Sequence, residues 1–233
     1  MRQTSSVQDR DQEITEHIAE LRTRVTRIGI LLLFLLPLLF YFSPDLIHRF
    51  WKGVVNEEMF VYSPMEWILL RLGFSLILSL VILYPYAMLE LYLFAKPGLY
   101  ESERRFLKFA IIPSYLLFLA GSYISYKFLV PVLYSLSAGN PFYSAEKTIL
   151  NALKLSFSLG FLLQVPLAIF LLDKFRILSY ETIKNLRIPI YLILIALIFN
   201  SSADVGGLTM IALIFSFFVI FELSLFVLSL SKR

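Results

Sequence analysis

Six apolar runs free of charged residues organise the chain: 28–44, 72–89, 109–126, 155–172, 188–203 and 205–221. Each approaches the ~20 residues that a helix needs to cross a hydrocarbon layer of about 30 Å. The runs lack the two-residue alternation of barrel strands, so helices are the form in which their backbone groups can be satisfied in lipid. The pattern predicts an all-α membrane protein, a single membrane domain over 1–233 with six transmembrane helices at about 25–43, 67–94, 105–133, 149–172, 187–200 and 208–229. Prolines 37, 85, 113, 131, 166 and 189 fall in or beside these spans and predict kinks, hence a curved bundle rather than a cylinder.

Ahead of the first span lies an arm, 1–24, whose opening dozen residues are polar. From Glu13 onward, Ile14, Ile18, Leu21 and Val25 recur at helical spacing, a stripe that suits a helix lying on the membrane surface before the chain turns inward. Glu13, Glu16 and Glu20 take its polar side. At the other end, the room between Arg187 and Asn200 leaves the fifth helix an uncharged stretch of about 12 to 16 residues, or roughly 18 to 24 Å. Such a mismatch must be relieved by thinning, snorkelling or association. The fifth and sixth helices are therefore expected to form a short edge that contacts partner helices or deforms lipid.

Composition supports the same class: 58% of the 233 residues are hydrophobic and 16% charged, and the mean hydropathy is +0.76. A soluble surface does not tolerate such values. The distribution of charge adds orientation. Fifteen of the 21 lysines and arginines fall in the arm to Arg27, the connection from Lys96 to Lys108, the connection from Lys174 to Arg187, and the tail Lys232 and Arg233. Short loops rich in Lys and Arg stay in the cytoplasm, which predicts that both termini are cytoplasmic. The absence of cysteine excludes disulfides and thiolate chemistry.

Candidate chemistry is sparse. His17 and His48 lie outside the spans, and no Gly-x-Ser-x-Gly, His-Glu-x-x-His or P-loop sequence occurs. Hydrolysis, metal catalysis and ATP use have no constellation to rest on, so no enzyme, cofactor, metal site or nucleic-acid partner is expected. What remains is binding. At the cytoplasmic surface stand Glu20, with Arg22 two residues on, and the segment Phe94-Ala95-Lys96-Pro97-Gly98-Leu99-Tyr100-Glu101-Ser102-Glu103-Arg104-Arg105. Pro97-Gly98 ends the second helix, and Glu103 opens the third, where a negative charge is favoured whether or not it binds anything. Within the membrane, Gln164 is close to mid-span, as either an interhelical packing amide or a polar site facing a groove. Glu90 and Glu222 lie near helix ends and are expected to snorkel to the interface.

Here the residues become specific. His17-Ile18-Ala19-Glu20-Leu21-Arg22-Thr23-Arg24 before the first span resembles the opening signature of the TatC family, the multi-spanning subunits of the twin-arginine protein translocase. The resemblance continues in order through Ser63-Pro64-Met65-Glu66, Phe94, Pro97-Gly98-Leu99, Glu103-Arg104-Arg105, Gly121, Tyr126, Pro131, Gly160, Gln164, Pro166, Asp204 and Phe221-Glu222. Two positions depart from the family pattern. Ser201-Ser202-Ala203-Asp204 stands where Thr-Pro-Pro-Asp is common, and Gln164 where relatives often carry Glu.

The resemblance implies a receptor for signal peptides with adjacent arginines, carried by folded cargo. It also implies TatA-like and TatB-like single-span partners in an oligomeric complex in the inner membrane bilayer. On that reading Glu20 and Glu103 hold the arginines, and Arg22 and Arg105 orient those carboxylates or exclude wrong partners. Glu101 lies beside them, and Phe94, Leu99 and Gln164 face the apolar part of the signal. Tyr126, Asp204 and Glu222 serve partner contacts and assembly. The competing class is a secondary transporter of a small solute with Gln164 as ligand, although the two halves show no repeat.

Overall fold

The computed structural model describes residues 14–54, 58–137, 144–201 and 207–230. All regular structure among them is helical: α1 (Ile14–Val54), α2 (Pro64–Ala95), α3 (Glu101–Ile124), α4 (Val130–Ser137), α5 (Ala145–Leu162), α6 (Val165–Lys174), α7 (Tyr180–Asn185), α8 (Arg187–Ser201) and α9 (Leu208–Leu230). Five segments among the described residues, 16–54, 64–98, 101–136, 145–174 and 210–230, are long and apolar enough to cross a membrane. Their outward faces are greasy, with Leu33, Phe34 and Tyr41 each more than 70% exposed. Water would penalise such surfaces and hydrocarbon does not.

Several expectations need correcting. The arm is no separate surface helix, because α1 runs unbroken from Ile14 through Pro37 and Pro44 to Val54. The sixth helix is not short: α9 has 23 residues and continues for eight more past Glu222, whose carboxylate pairs with Arg187 of α8. Only α8, with 15 residues, keeps the expected shortness, at about 22 Å of rise. Proline effects are also uneven. Pro85 and Pro113 lie inside continuous helices, whereas Pro166 follows a break between α5 and α6 at Leu163-Gln164. Ahead of Pro131 the helix widens into a π-turn, Ser125–Leu129, whose carbonyl at Ser125 is taken by the Val130 N–H. A residue without an N–H cannot continue the regular ladder, and the wider turn is the local accommodation.

Two compact units emerge, one of Met1–Pro44 with Arg71–Tyr115, the other of Asp45–Leu70 with Leu116–Arg233. In the first, Arg71 reaches from α2 to α1, where Nε donates to Ser43 Oγ at 2.9 Å and Nη2 to the Phe40 carbonyl at 2.7 Å. The guanidinium also lies 4.1 Å from the Phe40 ring centroid. Tyr84 and Ser114 join α2 to α3 through hydroxyls 2.8 Å apart. Ser75 and Ser79 return their hydroxyl protons to carbonyls four residues back, which lets small polar side chains be buried at no cost in unpaired groups.

The second unit is built on close backbone approach. A Cβ placed on Gly121 would lie 2.8 Å from the Leu159 carbonyl oxygen, and one on Gly160 would lie 2.7 Å from that of Phe118. Glycine is thus required where α3 crosses α5, the small-residue packing that substitutes for a hydrophobic drive in lipid. A second core joins α6, α7 and α9 through Ile169, Ile183, Phe217, Phe221 and Leu225. At the start of α2, buried Glu66 accepts from the Tyr62 N–H at 2.6 Å and from the hydroxyl of Ser144, the N-cap of α5. One carboxylate therefore serves two helix N-termini, where negative charge is favoured. Glu66→Ala is expected to cost about 2 kcal/mol, roughly one to two capping interactions, read as a lowered unfolding midpoint in detergent.

Candidate functional site

Specific bonds join the start of α1, with Glu20, to the end of α2, with Glu90, and the 96–100 connection leads from there to Glu103 in the first turn of α3. Arg24 carries the junction. Its Nε and Nη2 both donate to Oε1 of Glu20, at 3.0 and 2.5 Å, while Nη1 donates to Oε2 of Glu90 at 2.9 Å. Tyr86 donates its hydroxyl to Oε1 of Glu90 at 2.6 Å, and Arg27 approaches the same oxygen at 3.7 Å. Glu90 does not snorkel, contrary to expectation. It is 4% exposed and held by two guanidinium groups and a phenol, the pairing that a buried charge requires.

The connection between α2 and α3 is equally fixed. Lys96–Gly98 form a 3₁₀ turn. Arg104 folds back over it, Nε donating to the Leu99 carbonyl at 2.9 Å and Nη2 to that of Pro97 at 3.1 Å. Glu103 accepts the Tyr100 N–H at 3.0 Å through Oε2, so its carboxylate does occupy the helix N-terminus. Phe94 and Leu99 are half-buried, while Glu101 and Arg105 are exposed.

Both candidate carboxylates thus have one oxygen engaged and one without a hydrogen bond among the described residues: Oε2 of Glu20 and Oε1 of Glu103. Each is anchored yet still able to accept from a guanidinium. The anchoring cations are not the expected ones. Arg22, which is exposed, leaves Glu20 to Arg24, and the loop is held by Arg104 rather than Arg105. For Glu20 a signal was present in the sequence, since Glu followed four residues later by Arg is the favoured helical pair. For Arg104 none distinguished it from its neighbour.

The remaining candidates have structural partners. Gln164, half-buried, is the residue before α6; its N–H donates to the Phe161 carbonyl at 3.0 Å and its carbonyl accepts from Ala168 at 2.8 Å. Tyr126 donates to the Phe50 carbonyl at 3.3 Å, with the two rings 4.7 Å apart, so it fastens the end of α1 to the π-turn. Because that bond is long, Tyr126→Phe is expected to cost only about 0.5 kcal/mol, checked by denaturation in detergent. Glu222 accepts from the Tyr191 hydroxyl at 2.5 Å and lies 3.4 Å from Arg187, joining α8 to α9. Asp204 lies outside the described residues.

Comparisons with known proteins agree over nearly the whole chain. The sequence model of the TatC family, Sec-independent protein translocase protein (TatC), matches residues 16–215. The chain is similar to the Sec-independent protein translocase protein TatC of Methanocella arvoryzae, at 29% identity over 225 residues covering 93% of each chain. It is similar also to that of Aquifex aeolicus, at 25% identity over 232 residues, 94% of this chain and 96% of the relative. In three dimensions it superposes on a crystal structure of the twin arginine translocase receptor TatC with a TM-score of 0.80 at 24% identity, covering 93% of this chain and 100% of the other.

Proposed function

This chain belongs to the TatC family of Sec-independent protein translocase proteins, and from that membership we propose that it is the signal-peptide receptor of a twin-arginine export complex. In this reading the protein crosses the inner membrane six times, with α8 as the short fifth span and both termini in the cytoplasm. The end of the first unit carrying Glu20, Glu90 and Glu103 then faces the cytoplasm, where cargo arrives. TatA-like and TatB-like single-span helices complete the assembly around it.

The observation that carries the reading is the pair of half-occupied carboxylates. A signal bearing two adjacent arginines presents two planar forks, and Glu20 and Glu103 each keep one oxygen for them. Arg–carboxylate bonds are directional, and a lysine ammonium cannot reproduce the fork. The two contacts contribute about 3 to 6 kcal/mol together. A micromolar site needs about 8 kcal/mol, so the apolar stretch of the signal supplies the rest by packing near Phe94 and Leu99 or in lipid.

Photo-crosslinking of Arg-Arg and Lys-Lys signal peptides to membranes holding the unmodified chain tests the proposal. Strong labelling by the first and weak labelling by the second is expected. Equal labelling contradicts signal recognition by these carboxylates.

A further inference from the structure

Resting on the reading of Glu20 as an arginine acceptor, we infer that Glu90 is a positioning residue for the signal site, acting through Arg24 to fix which oxygen of Glu20 is presented to an incoming guanidinium. An exposed Glu–Arg pair four residues apart on a helix holds one geometry only weakly, because water screens it and both side chains rotate. The pair Glu20–Arg24 differs in that its cation is pinned from the far side. Arg24 has a side chain only 17% exposed, and its third donor nitrogen is committed to Glu90 at 2.9 Å.

Glu90 itself cannot drift. Its side chain is 5% exposed, it sits on α2 rather than on α1, and Tyr86 and Arg27 hold its other oxygen. With the guanidinium fixed at Nη1, Nε and Nη2 both fall on Oε1 of Glu20, and Oε2 is the oxygen left to a ligand. An oxygen held in one direction favours a planar guanidinium whose N–H groups align with it over an ammonium of no fixed orientation. Arg27 gives Glu90 a second cation, so the buried carboxylate is not stranded while Arg24 is engaged with Glu20.

The test measures affinities of fluorescent Arg-Arg and Lys-Lys peptides for the full-length chain purified in detergent. Glu90→Gln keeps the shape but removes the charge and leaves one accepting oxygen where the carboxylate has two, so Arg24 and Tyr86 can no longer both be satisfied. Arg-Arg affinity is expected to fall about tenfold, the scale of one weakened charge-assisted contact, with Lys-Lys affinity unchanged. Arg24→Lys, which keeps both charges but lacks the fork, should lower the Arg-Arg to Lys-Lys ratio similarly, so the inference does not depend on Glu90→Gln folding. An unchanged ratio in both variants overturns it, as does equal weakening of both peptides. A rise in Arg-Arg affinity also overturns it, because Arg24 would then be a competitor for Glu20. Glu20→Gln is measured in parallel: if that variant binds Arg-Arg normally, the signal-site reading itself fails. Loss at Glu20 with no effect at Glu90 removes only this inference.

Discussion

Gly160→Leu is expected to leave almost no folded protein in the membrane. A side chain at this position must occupy space already filled by α3: its first carbon would stand 2.7 Å from the Phe118 carbonyl oxygen, and the Ser122 hydroxyl is closer still. Backbone atoms cannot rotate away as a flexible side chain can, so the two helices have to separate. Overpacking in a core costs about 1 to 3 kcal/mol for added methylenes, and a whole isobutyl group against backbone lies at or beyond the top of that range. Separation would also expose the edge-to-face contact between Phe118 and Phe157 and the other half of the crossing at Gly121. Gly29→Leu is the control, since a Cβ at Gly29 meets nothing within 4 Å. Equal yields of the two variants, by size-exclusion profile and protease resistance, would show that the crossing is not what the structure makes it.

Removing both carboxylates of the proposed signal site should have the second large effect, on binding instead of folding. Glu20→Ala and Glu103→Ala each delete a charge-assisted acceptor, about 1.5 to 3 kcal/mol apiece. Together they should weaken Arg-Arg peptide binding by roughly a hundredfold or more at 1.4 kcal/mol per decade. The single variants differ in their side effects. Glu103→Ala also removes the cap on the Tyr100 N–H, with a cost near 1 kcal/mol in local stability. Glu20→Ala frees Arg24 to bind Glu90 alone, leaving the buried carboxylate paired. Fold integrity should thus suffer more at position 103, and thermal unfolding of the two single variants checks that asymmetry.

Much of this was legible in the sequence, and the failures have physical causes. Long uncharged runs gave the helical class because hydrocarbon leaves the backbone no other partner. Pro97-Gly98 with Glu103 marked a helix end and a helix start, and Lys96–Gly98 and the Glu103 cap fall there. Glu90 was misjudged because a carboxylate near the end of a span can rise to the interface or pair sideways. The partners that decide the matter, Arg24 and Arg27, are distant in sequence, as are Tyr191 and Arg187, the partners of Glu222. The continuity of α1 was hidden by its own amphipathic start, which suits a surface helix and the first turns of a long one equally well. Short α7 was missed because its only mark is Ser179, whose Oγ accepts the Thr182 N–H; six residues carry no periodicity to read.

Disulfide mapping tests the account's centre most directly, because the chain contains no cysteine and every bond formed reports a chosen position. Thr23→Cys and Tyr100→Cys place thiols beside Glu20 and Glu103 while leaving both carboxylates and the Tyr100 N–H in place. A signal peptide with cysteine next to its arginine pair is predicted to cross-link to both positions under mild oxidation. The cross-links should vanish when Glu20→Gln and Glu103→Gln are added, and Lys127→Cys should give none. Undiminished cross-linking after both glutamates are neutralised, or equal cross-linking to position 127, would contradict recognition of the arginine pair by these two side chains.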